Sequence, residues 1–297
     1  MTRTHTAMLL ALAAIWGAAF MLIEIALRDL APVTVAAGRI AFAAGTLVVI
    51  AVARRAHIVR PLLAHRRQLA AAAVLNTAVP FVLIPLGQTQ IDSGTSAILN
   101  AAAPLFTVLF AVVAGSSERV VGLRLAGFLL GFAGVALVVG AGADTGGHAV
   151  LGGLAVVAAA AFYAVGALYT SARLRELSPL EIALGTMTWA TLFTLPLGVV
   201  GLRGHEVGWE AAASVIGLGV VATAVAYLLY FGLIAGAGPS YAILVTYLVP
   251  AMALVYGVTL LDEPVGLREV LGLVLVLAGV ALGTGAVRRR RAATVGT

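Results

Sequence analysis

Apolar runs long enough to cross a bilayer, which takes about 20 residues, follow one another along almost the whole chain. Only short clusters of Gly, Pro and charged residues part them. Lipid cannot satisfy a free backbone N–H or C=O, so such runs must be helices; they are too long and too uniformly apolar for barrel strands. Composition agrees: of 297 residues, 62% are hydrophobic and 10% charged, with mean hydropathy +1.10. Soluble domains are roughly a quarter charged. The expected fold is all-α, a polytopic membrane protein.

Cuts at the polar clusters give ten transmembrane helices, at 7–27, 32–52, 68–88, 94–114 and 121–140, then 151–171, 180–201, 211–234, 241–261 and 267–287. The connections are short, so neighbouring helices must run antiparallel, and no soluble domain fits between them. The chain has no Lys, so every fixed basic charge is an Arg. With the N-terminus in the cytoplasm, 14 Arg fall in inner segments and 3 in outer ones, while Arg39 stays within a span. Cytoplasmic loops are enriched in such charges, which puts both termini in the cytoplasm of a cell inner membrane. The same census supports ten spans, because losing one would flip every later loop.

The run Arg288–Arg291 directly follows a span and reads as a topology anchor at anionic headgroups rather than a nucleic-acid patch. Helix 7–27 is long for a signal peptide and has a counterpart inside the second half, so it reads as a span. The chain has no Cys, which excludes disulfides, thiolate metal sites and a Cys nucleophile. All five His (His5, His57, His65, His148, His205) fall in polar connections. No metal and no cofactor are expected.

The word AGVAL at Ala133–Leu137 returns at Ala278–Leu282, and its surroundings return with it. Gly127 matches Gly272 and Glu118 matches Glu263, all at an offset of 145. Thr77-Ala78-Val79 matches Thr223-Ala224-Val225, Asp29-Leu30-Ala31-Pro32 matches Glu176-Leu177-Ser178-Pro179, and Trp16 falls on Tyr163. Pro104 in the fourth helix finds Pro250 in the ninth. Chance does not keep that order, so the chain reads as two units, 1–145 and 146–297. Five helices per unit is odd, so the second unit must enter the membrane from the opposite side. Inverted repeats of this kind are a transporter signature.

These residues also carry a family resemblance. WGAAF at Trp16–Phe20, Pro32 with Arg39, and the Pro-centred fourth and ninth helices running into SSER and LDEP resemble the EamA-type members of the drug/metabolite transporter superfamily. The closing Leu/Gly pattern ending GVAL completes a resemblance that covers essentially the whole chain. It implies a ten-helix inverted-repeat carrier of small metabolites, often moving them outward, and names no solute.

Candidate cavity residues share helix faces. Ser96, Asn100, Ala103, Thr107 and Ala111 form a small, polar stripe on the fourth helix, which suits either a cavity wall or close helix packing. The third helix offers Asn76 and Pro80 with Gln88 near its outer end, the sixth Tyr163 and Thr170, and the eighth Thr223, Tyr227 and Tyr230. The ninth offers Tyr247 near Pro250, and the first carries Trp16, Phe20 and Glu24 at spacings of four. Tyr230 and Tyr241 also suit an interfacial belt. Pro80, Pro104 and Pro250 break helices, and mid-membrane Pro frees backbone groups toward a cavity unless it only kinks the helix.

Arg39 is the most informative side chain, because a charged Arg in hydrocarbon needs a partner or water. A structural or gating pair with Glu24, direct substrate contact and snorkelling are its three readings. Glu24 is the acid clearly inside a span, apart from Glu181 at the start of the seventh helix. Proton coupling through Glu24 and facilitated diffusion both stay open. Aromatic and amide groups suit a neutral or zwitterionic solute such as an amino acid, whereas a phosphate ester would need more positive charge than Arg39 supplies. The expected activity is export of such a solute by alternating access around a midplane cavity. Its partners are the solute and the bilayer, not nucleic acid, and the fifth and tenth helices offer a face for a homodimer. An intramembrane lipid-modifying enzyme would need a convergent acid/base set, and a non-transporting scaffold would tolerate loss of Arg39 and Asn100.

Overall fold

A computed structural model describes residues 2–56, 58–115, 121–141, 147–202 and 206–284, and it is helical without strands over those residues. His57, Glu118, Arg119, Arg203, His205 and Arg288–Arg291 lie outside them. The first five long helices are α1 (Arg3–Leu27), α2 (Pro32–Ala53), α3 (Arg66–Gln88), α4 (Ser93–Val113) and α5 (Leu123–Ala141). The rest are α6 (His148–Arg173), α7 (Pro179–Gly201), α8 (Trp209–Ala237), α9 (Val245–Leu260) and α10 (Leu267–Gly283). A short helix, Val59–Ala64, leads into α3. Among the described residues, eight helices are long and apolar enough to cross a membrane, and α9 is a shorter apolar helix of 16 residues. The chain is a multi-pass membrane protein.

Helix starts fall where the sequence supplies a residue that relieves unpaired N–H groups. Pro32 and Pro179 open α2 and α7, the two matched by the Asp29–Pro32 and Glu176–Pro179 words. Ser178 and Glu181 form a capping box, with the Ser178 N–H donating to Glu181 Oε2 at 2.7 Å. Glu181 is therefore engaged in a cap rather than free within a span.

Three interruptions mark the long helices. Val74–Ala78 in α3 and Val220–Val225 in α8 are π-helical turns. Helix α4 is broken at Ala101–Ala102, where Ala102 N–H turns back to Leu99 O at 3.2 Å. Pro104 lacks an N–H, so the Asn100 carbonyl has no i+4 donor and the backbone tightens there. The ninth helix, expected from Tyr241, starts at Val245 after a separate turn of helix, Pro239–Ala242; Pro250 sits inside an unbroken α9.

Packing follows a reciprocal pattern. Helix α5 lies on α10 and α2 on α7, while α1 packs on α8 and α9 just as α6 packs on α3 and α4. The α5–α10 seam is built on glycine, as close helix approach in lipid requires. A Cβ on Gly127 would stand 2.5 Å from the Gly283 nitrogen, and one on Gly134 would stand 2.9 Å from the Val276 nitrogen. Gly131 meets Gly279, and Gly272 meets Val138. Each step forward along α5 is a step back along α10, so the two run antiparallel. Shifting every number by 145 turns the Gly127–Gly283 contact into Gly272–Val138, which is also present. The same holds for Gly131–Gly279 and Val276–Gly134. Helices α2 and α7 also run antiparallel, with Gly198 against Ala37 and Gly201 against Thr34. The glycine faces of α5 and α10 are thus occupied within the chain. Only the outer sides of α5 and α10, with Leu125, Leu129, Leu271 and Val274, stay exposed.

Candidate functional site

Arg39 projects from the N-terminal half of α2 toward α3 and α8. Its Nε donates to Thr223 Oγ1 at 2.9 Å, and the Thr223 hydroxyl donates to the Leu218 carbonyl at 2.8 Å. Leu218 precedes Thr223 by five residues, the spacing of a π-turn. The bulge in α8 therefore presents both the hydroxyl that takes up a backbone carbonyl and the acceptor that holds the arginine. The guanidinium carbon lies 4.0 Å from the centroid of the Phe81 ring, a cation–π contact that strengthens out of water. Phe81 meets Tyr163 edge-on, with centroids 6.5 Å apart. Tyr163 and Tyr227 both pack on the cluster that joins α2, α3 and α7.

The expected Glu24–Arg39 ion pair is not made. Ion pairs among the described residues join Arg28 to Glu210 at 3.9 Å and His65 to Glu176 at 4.0 Å. The reason is helix phase. Ile40 and Ala43, beside Arg39, pack into the α2–α3–α7 cluster. Phe20 and Ile23, beside Glu24, pack into a second cluster with Ile84, Ala97, Leu218 and Ala253. Glu24 lies instead beside Gln88, whose Nε2 donates to the Phe20 carbonyl at 2.9 Å.

The other candidates divide among the flanks of this centre. Asn76, in the α3 π-turn, donates to Thr170 Oγ1 of α6 at 2.9 Å and packs against Gly166. Trp16 tilts onto Tyr230 with centroids 5.4 Å apart, in a cluster of α1, α8 and α9 side chains. Tyr247 packs against the α4–α5–α10 cluster, and its hydroxyl oxygen, like Asn100 Oδ1, is buried without a hydrogen-bond partner. The structure thus gathers Arg39, Tyr163 and Tyr227 and leaves Trp16, Asn100 and Tyr247 apart from them. Pro80 sits just after the α3 π-turn, between Asn76 and Phe81.

Phe81 was missed by sequence reasoning, which ranked polar groups above an apolar ring. Both π-turns were missed too, although a signal existed. The repeated words Thr77-Ala78-Val79 and Thr223-Ala224-Val225 fall on them.

The arrangement, a lone guanidinium framed by aromatic rings in a bundle of apolar spans, suits solute binding. The chain matches the EamA-like transporter family over residues 5–140 and again over residues 150–284. It belongs to that family. A "Probable terminal-alkyne amino-acid exporter" of Streptantibioticus cattleyicolor is 30% identical over 95% of this chain and 94% of its own length. An "Uncharacterized transporter" of Archaeoglobus fulgidus is 26% identical over 89% of this chain and 93% of its own. A solved crystal structure matches in fold with TM-score 0.67 at 18% identity, over 97% of this chain and 99% of the other. As a member of the EamA-like transporter family, with curated relatives named as transporters, the protein is a membrane transporter of a small molecule and not an enzyme.

Proposed function

We propose that this EamA transporter exports amino acids or related zwitterionic solutes, and that Arg39 receives the solute carboxylate. The observation that carries the reading is the Arg39 guanidinium. It is held at Nε and stacked on Phe81, and it has no carboxylate partner among the described residues. A charge in that position is disfavoured until an anion meets it, and an amino-acid carboxylate fits the fork of a guanidinium. The relative named as an amino-acid exporter supports the solute class. Trp16, Asn76, Asn100, Tyr163, Tyr227 and Tyr247 are then the further cavity candidates, with Pro104 and Pro250 shaping the backbone of α4 and α9.

The chain works as two five-helix units, 1–145 and 146–297, of opposite orientation in ten spans of the cell inner membrane, with both termini cytoplasmic. Support comes from the antiparallel, self-matching contacts of α5 with α10. Such symmetry gives inward-open and outward-open packings of similar energy, which is what alternating access needs. A homodimer would use the exposed outer sides of α5 and α10.

Counterflow of labelled amino acids in proteoliposomes tests the assignment. Arg39→Ala is expected to abolish counterflow, and Arg39→Lys to leave a small fraction of it, since Lys keeps the charge but not the planar fork. Full flux in correctly inserted Arg39→Ala protein would refute the proposed role.

A further inference from the structure

Six buried side-chain atoms lack a hydrogen-bond partner among the described residues: Glu24 Oε2, Gln88 Oε1, Ser93 Oγ, Ser96 Oγ, Asn100 Oδ1 and the Tyr247 hydroxyl. All six are oxygen. Native interiors rarely leave such groups unpaired; the three hydroxyls can donate as well as accept, whereas Glu24 Oε2, Gln88 Oε1 and Asn100 Oδ1 only accept and so lack a donor.

The shortage is sharpest around Glu24. Its side-chain companion is Gln88, 3% exposed, which hydrogen-bonds the Glu24 carboxylate and donates to the Phe20 carbonyl, yet Glu24 Oε2 and Gln88 Oε1 both stay unpaired. The charged groups facing Glu24 are Glu263 from the α9–α10 turn, Asp92 ahead of α4, and Arg28 one turn along α1. Two of the three are acids. Glu263 already accepts from Ser93 N–H at 2.9 Å and Gly94 N–H at 3.2 Å. Arg28 is half exposed and turned to Glu210. Arg39 is committed to Thr223 and Phe81. Arg28 is thus the cation among these facing groups and is shared with Glu210, while two neighbouring acids repel the Glu24 carboxylate. A proton on Oε2 removes the charge and supplies the missing donor.

We propose that Glu24 binds a proton at the outer end of the bundle and exchanges it with bulk water as the carrier cycles. The coupling to solute movement rests on the transport reading above; the proton site does not. The O–H bond forms at Oε2 with a proton taken from water at the outer mouth, and the same proton returns to water when the carboxyl is rewetted.

Infrared difference spectroscopy on the reconstituted full-length protein tests the site without any solute. A change from acidic to alkaline buffer should bleach a protonated-carboxyl band that Glu24→Gln lacks. Glu24→Asp should keep the band, and so should Glu181→Gln, a change in the capping box at the other end of the bundle. A band unaltered in Glu24→Gln would overturn the proposal. So would a carboxylate band that never protonates but shifts on adding sodium chloride. In proteoliposomes given a mixture of labelled amino acids, a pH gradient should drive accumulation by the wild type and by Glu24→Asp but not by Glu24→Gln. Gradient-driven accumulation undiminished in Glu24→Gln would overturn the coupling. If the wild type moves none of the amino acids, the exporter reading fails while the infrared arm still decides the proton site.

Discussion

At the scale of single residues, the C-terminal ends of α1 and α3 and the start of α4 concentrate acids that the fold must manage. Glu263 caps α4 from a distant turn, joining backbone N–H groups of Ser93 and Gly94 to a loop 170 residues later in the sequence. Helix N-termini favour such negative charge. Asp92, the next acid, is open to solvent on one side. Even so, desolvation of its carboxyl, then repulsion from Glu263 and Glu269, holds it above the usual Asp range. An acid with a raised folded-state value keeps its proton more firmly when folded. Stability therefore falls as pH climbs above the unfolded value of about 3.9. Asp92→Asn should raise the melting temperature of the detergent-solubilised protein at neutral pH, with the gain fading as the pH falls to that value. A neutral-pH melting temperature no higher than wild type would count against this assignment.

At the scale of elements, the two equivalent π-turns and the glycine seam do different work. The π-turns re-aim side chains: the α8 turn points Thr223 at Arg39, and the α3 turn carries Asn76 to Thr170. The seam sets the distance between α5 and α10. Because Gly131 and Gly279 face one another backbone to backbone, any side chain at either must push the helices apart. Gly279→Ala is expected to destabilise by about 1–3 kcal/mol, the usual cost of overpacking, seen as a lower melting temperature in detergent. Gly45→Ala, with open space where its Cβ would go, is the matched control and should cost nothing. Equal melting temperatures for the two variants would mean that the seam is not tightly packed in solution.

At the scale of the whole molecule, the proposed opposed orientation of the two units makes a prediction that needs no solute. Arg28 and Arg175 are exposed and lie 147 residues apart, the shift that relates the α1–α2 and α6–α7 connections. The chain has no cysteine of its own, so Arg28→Cys and Arg175→Cys each introduce a single thiol. A membrane-impermeant maleimide applied to intact cells should label the first and spare the second. Labelling of both from outside would contradict the inverted arrangement.

The sequence by itself determined the solvent, the helical class, most helix positions and the doubling of the unit, since each is written in runs of apolar residues or in ordered repeats along one dimension. It also singled out Arg39, because a charge inside an apolar run is visible without coordinates. What only the tertiary structure decided is which side chains meet. Glu24 and Arg39 sit on adjacent helices, yet helix phase sends one to Gln88 and the other to Thr223 and Phe81. The phase of a span is not legible where nearly every position is apolar, because lipid-facing and core-facing residues then look alike. It is fixed by small-residue contacts such as Gly198 on Ala37 and Gly219 on Arg39's own backbone, which depend on partners far away in the chain.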